Sequence, residues 1–141
     1  MRTETRCLFP LPSYLRRVNE PLALLLCERG LIATQLAQRL EGLRYRMVSV
    51  SNPAELVTFA ESQRAMVVFV DADGLPASVV SAVEQLRRNQ PTAHIPVIAF
   101  AREIDDSMQA ALVAKGVTVV VNEAAVLSHL PQLLDRALDV S

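Results

Sequence analysis

Ala65-Met66-Val67-Val68-Phe69-Val70-Asp71-Ala72-Asp73-Gly74 decides how this 141-residue chain is read. The apolar run from Met66 to Val70, rich in β-branched residues and stopped by Asp-Ala-Asp-Gly, is too short for a helix and fits a strand buried on both faces. Asp71 then stands where the strand ends. Open parallel sheets bind ligands outside the carboxyl ends of their strands, which makes Asp71 the first candidate site residue.

Upstream of this strand, Ser51-Asn52-Pro53 is a helix start, a capping side chain followed by proline, and the helix it opens ends near Ser62. Tyr45 to Val50 reads as a strand. Before it, Ile32, Leu36, Leu40 and Leu43 form one stripe at helical spacing, with Gly42 near the end of that helix. Leu22 to Cys27, opened by Pro21 and bounded by Glu28-Arg29-Gly30, is the first strand. Downstream, Val79, Val80, Val83 and Leu86 define a helix closed by Asn89-Gln90-Pro91, and Ile95 to Phe100 is a strand with proline confined to its start. Asp105-Asp106-Ser107 caps a helix that runs to Lys115 and stops at Gly116. Val117 to Val121 is the fifth strand. Leu130, Leu133, Leu134, Ala137 and Leu138 stripe a last helix, with Ser128 as its expected cap and Pro131 in its first turn.

The order is strand-helix five times over. It predicts an α/β fold: a (βα)5 doubly wound, five-stranded parallel sheet in the flavodoxin-like order 2-1-3-4-5. Residues 21–141 read as one domain, and residues 1–20 as an N-terminal arm whose apolar residues Leu8, Phe9, Leu11, Tyr14 and Leu15 either dock or stay loose. Half of the chain is apolar with 4% aromatic residues and no Trp, so the core has to be aliphatic.

Net charge is −1, from 14 basic and 15 acidic residues that are interspersed rather than clustered, so nothing resembles a nucleic-acid footprint. Arg16-Arg17, Arg44/Arg46 and Arg87-Arg88 read as solvated faces. Charges and prolines interrupt the N-terminus, which is neither a signal peptide nor a membrane span. Cys7 and Cys27 allow at most one bridge and lack metal-site spacing; free thiols and a cytoplasmic location are the default.

The strand ends present Cys27-Glu28, Asp71, Ala101-Arg102 and Asn122-Glu123. With Ala101 30 residues after Asp71 and Glu123 a further 22 on, residues 21–141 resemble the receiver domain of bacterial response regulators. The resemblance implies roles. In receivers, an acidic pair after the first strand and an Asp after the third hold Mg²⁺, and that Asp accepts a phosphoryl group. A Thr or Ser after the fourth strand and a Lys-Pro after the fifth contact the phosphoryl oxygens.

Carried over by position, Asp71 is the candidate phosphoacceptor, read as vestigial, in a degenerate pocket of Cys27, Glu28, Ala101, Arg102 and Glu123. Cys27 replaces one acid, Ala101 the hydroxyl residue, Glu123 the lysine, Ala124 the proline and Val120 the aromatic switch residue. Pro76 sits one position later than the pattern. Glu28, Asp71 and Asp73 remain as weak oxygen ligands, and no metal or other cofactor is expected. Arg102 is a candidate to fold over the pocket and pair with Asp71, Glu28 or Glu123.

A thiol-phosphatase reading fails because Ala33 stands in the place of the arginine. An FMN reading fails for want of a phosphate turn after the first strand. His94 and His129 read as surface residues. The expected function is a non-enzymatic, stand-alone pseudo-receiver: a phosphorylation-independent protein-protein interaction module in bacterial signalling. It would act on a protein partner in trans through the arm or the face from Ser107 to Val140, with a homodimer open and no role for nucleic acid or membrane. The leucines of the last helix are either an interface or a wide core stripe. The alternative is a degenerate but phosphorylatable two-component receiver using Asp71 and Mg²⁺.

Overall fold

Alternation of side chains along short apolar runs builds a sheet with two buried faces. The structure, a computed structural model, describes residues 21–27, 30–50, 52–73 and 77–139; the arm, Glu28 and Pro76 lie outside them. In chain order the elements are β1 (Leu22–Leu26), α1 (Gly30–Gly42), β2 (Arg46–Val50), α2 (Pro53–Ser62), β3 (Val67–Asp71), α3 (Ala77–Arg88) and a 3-10 turn (Gln90–Thr92). They continue as β4 (Val97–Ala101), α4 (Asp106–Lys115), β5 (Val119–Asn122), α5 (Glu123–Ser128) and α6 (Leu130–Asp139). All strand pairs are parallel, in the order β2-β1-β3-β4-β5. This is the expected flavodoxin-like sheet.

Leu22, Leu24 and Leu26 of β1, Val68 and Val70 of β3, and Val97 and Ala99 of β4 pack under α2, α3 and α4. Their alternates, Ala23 and Leu25, Val67 and Phe69, Ile98 and Phe100, pack under α1, α5 and α6. Because helices cover both faces, the central strands carry no polar residue before Asp71.

Local capping chemistry sets the helix ends. Asn52 Oδ1 accepts the Glu55 amide at 2.9 Å, and Asp105 Oδ1 accepts that of Met108 at 2.7 Å. Gly116 closes α4 at φ 113°, where a side chain is strained, and an added Cβ would lie 2.7 Å from Arg87 Cγ.

Two expectations about the end of the chain are corrected. The fifth strand is Val119–Asn122, not Val117 to Val121, and Asn122 also caps α5, accepting the Ala125 amide at 2.8 Å. The last helix has its expected place, with Pro131 in its first turn, but a short helix, α5, precedes it and ends at Ser128, whose hydroxyl donates to Ala124 O rather than capping α6. Pro131, in the first turn of α6, has no N–H with which to continue the ladder from α5.

Arg87, read as solvated, is half-buried. Its Nε and Nη2 donate to Gly116 O at 2.9 and 2.7 Å, and its Nη1 donates to Ala93 O and Ile95 O at 2.8 and 2.7 Å. The guanidinium thus ties α3 to the amino ends of β4 and β5. Desolvation holds its pKa below the ordinary value. Of the leucines in question, Leu130, Leu133 and Leu134 are buried in the core and Leu127 packs against the same cluster, while Leu138 is half-buried outside it.

Candidate functional site at the carboxyl ends of the strands

Register places the site. Leu26 pairs with Val70, so the next residues, Cys27 and Asp71, are neighbours at the carboxyl end of the sheet. Asp71 is the last residue of β3 and lies opposite Phe100 of β4, while Ala101 lies opposite Asn122 of β5. The Ala72 amide donates to Phe100 O at 2.8 Å, which holds the start of the β3 loop against β4.

Asp71 is half-buried and both of its oxygens accept hydrogen bonds. The Cys27 thiol donates to Oδ2 at 3.4 Å, and the Asp73 amide donates to Oδ1 at 3.1 Å. The second bond is an Asx turn, which bends the chain so that the Asp73 carboxylate faces the loop after β4. There Arg102 meets it. Arg102 Nη2 and Nε donate to Asp73 Oδ2 at 2.7 and 3.0 Å, and the Arg102 backbone amide donates to Oδ1 at 3.1 Å. The Asp73 side chain is 20% exposed and that of Arg102 is 70% exposed, so the pair lies across the mouth of the site rather than in its floor.

Arg102 was expected to pair with Asp71, Glu28 or Glu123; among the described residues its partner is Asp73. A short cue was present, because an Asp-Ala-Asp run at a strand end can form an Asx turn that aims the second carboxylate outward. Glu123 is half-buried and opens α5, where a carboxylate suits the positive end of the helix dipole. Ala101 is fully buried and has no hydroxyl to offer. Val120 packs against the cluster under α2, α3 and α4.

No protein-family model and no curated protein matches the chain. Solved structures do. A chemotaxis CheY protein from Vibrio cholerae superposes with a TM-score of 0.75 at 18% identity, covering 84% of this chain and 99% of that one. The receiver domain of a sensor histidine kinase from Pseudomonas aeruginosa, which has a magnesium ion coordinated in its active-site cleft, gives 0.74 at 21% identity, covering 85% and 98%. A response regulator from Thermotoga maritima gives 0.73 at 17%, covering 85% and 98%.

The chain has the receiver fold. Asp71 is the terminal residue of the central strand of that sheet. The described part of the receiver's magnesium donor set fits the ion poorly. Mg²⁺ asks for oxygen ligands in near-ideal octahedral geometry. Here the Cys27 thiol donates to Asp71, while Asp73 is engaged on both oxygens by Arg102. Among the described residues, no helix is long and apolar enough to cross a membrane.

Proposed function

We propose that the protein is a pseudo-receiver: a regulatory, non-enzymatic module that contacts a protein partner in a bacterial signalling pathway without being phosphorylated. The observation that carries this reading is the fork from Arg102 onto Asp73, together with the thiol bond from Cys27 to Asp71. Phosphoryl transfer is catalysed by positioning and by cationic stabilisation of the transferred group. At the described positions the cation is spent on Asp73, Ala101 stands where a hydroxyl donor would be needed, and a carboxylate, Glu123, stands where a lysine would neutralise charge. The contacts that phosphate makes in a receiver are replaced by contacts within the protein itself.

Asp71 is nevertheless present at the end of β3, which favours the phosphorylatable reading as the one to exclude. Incubation of the full chain with phosphoramidate and Mg²⁺, followed by intact mass, separates the two. The expected spectrum holds no Mg²⁺-dependent phosphate adduct. An adduct that disappears on Asp71→Ala would establish a working receiver.

A further inference from the structure

At the pole of the sheet opposite Asp71, a cleft of about 510 Å³ opens between the amino ends of β1, β2 and β4 and the turn leading into β3. This is the size of a small-molecule site, roughly 300–1,000 Å³. The ionisable residues that line it among the described residues are Arg46, Arg64 and His94, all basic. None of the three is in an ion pair among the described residues. Arg46 is half-buried against the cleft, and its Nε, shut off from solvent, has no hydrogen-bond acceptor among the described residues, so the guanidinium is not neutralised from within the protein. Arg64 is held at φ 53°, a left-handed conformation in which glycine is the default, so this turn keeps a cationic side chain at the rim against backbone preference. Met66, Pro96 and Leu138 supply an apolar wall, and Met66 is 44% exposed.

We propose that this cleft binds a small organic anion, a carboxylate or a phosphate ester carried on an apolar body. The Arg46 guanidinium supplies the charge that faces the anionic group, Arg64 and His94 add positive charge at the rim, and Met66, Pro96 and Leu138 cover the body. This site is independent of whether Asp71 takes phosphate.

The test is an amide NMR titration of the full chain with hexanoate, AMP and inorganic phosphate in separate arms. Hexanoate or AMP is expected to saturate with a dissociation constant near or below about 1 mM, shifting the amides of Arg46, Met66 and His94, and inorganic phosphate to bind more weakly for lack of a body. A tighter hexanoate arm assigns a carboxylate ligand, and a tighter AMP arm a phosphate ester. Arg46→Gln is expected to weaken the better ligand about tenfold. Should that variant not fold, the double variant Arg64→Gln/His94→Gln, at exposed positions, is expected to weaken it several-fold. Absence of saturation by either organic anion at about ten times that concentration, or an affinity unmoved in the folded variants, overturns the proposal.

Discussion

Two arginines, one at each pole of the sheet, make opposite use of the same fork of donors. Arg87 at the amino pole is half-buried and gives its hydrogen bonds to three backbone carbonyls, those of Gly116, Ala93 and Ile95. Arg102 at the carboxyl pole is 70% exposed and gives its side-chain bonds to one carboxylate. The buried fork holds helix and strand ends together, and its removal strands acceptors that water reaches poorly. The exposed fork competes with solvent and salt, so it contributes little to stability and its effect is positional. On this contrast fold and candidate site are separable: removing the buried Arg87 fork is expected to cost stability, and removing the exposed Arg102 fork is expected to leave the fold in place.

The largest expected effect is at Arg87. Arg87→Ala should destabilise the protein by about 3 kcal/mol, a fall in midpoint on the order of 10 °C by thermal melting. A change within about 0.5 kcal/mol would show that the carbonyls are satisfied by water and would erase the contrast between the poles. Next is Gly116→Ala, expected to cost about 2 kcal/mol from the left-handed backbone and the clash with the Arg87 stem. In a denaturant double-mutant cycle its cost should shrink in the Arg87→Ala background, because the clash is gone and the backbone strain remains.

Arg102→Ala should change stability by less than about 1 kcal/mol, and the difference from the parent should fall further in high salt. A loss comparable to that of Arg87→Ala would mean that the carboxyl pole is also structural. The smallest effect is one of pH. Burial, then Asp135, hold the Tyr45 phenol above its ordinary pKa of 10.0, so the folded chain keeps that proton where the unfolded chain has released it. Stability from the neutral phenol is intact below the unfolded pKa and is lost as pH rises from there through the folded value. Tyr45→Phe should flatten that alkaline decline in a chemical denaturation series, leaving the behaviour of Arg87 and Arg102 variants at neutral pH as it was.

The fold was legible because each element carried its own period: five apolar runs too short for helices, with amphipathic or capped segments between them. The misread stretch was the end of the chain, where the six-residue α5 is too short to show a period and Asn122 served both strand and cap. The position of Asp71 could be read from its place after a buried strand. Its bond from Cys27 could not, because it depends on the register of β1 against β3. Arg87 escaped for a similar reason: an arginine pair at the end of a helix looks solvated in sequence, and the loops that bury Arg87 arrive from Ala93, Ile95 and Gly116.

The central claim is that the divalent-ion site of the receiver fold has been replaced by contacts within the protein. A Mg²⁺ titration followed at the Asp71, Asp73 and Arg102 amides tests it most directly, run beside a variant combining Cys27→Asp, Ala101→Thr, Arg102→Ala and Glu123→Lys. The account predicts that only the variant gives a saturating shift in the millimolar range. Saturation of the parent chain at the same concentrations, with the Asp73 and Arg102 amides moving together, would contradict it.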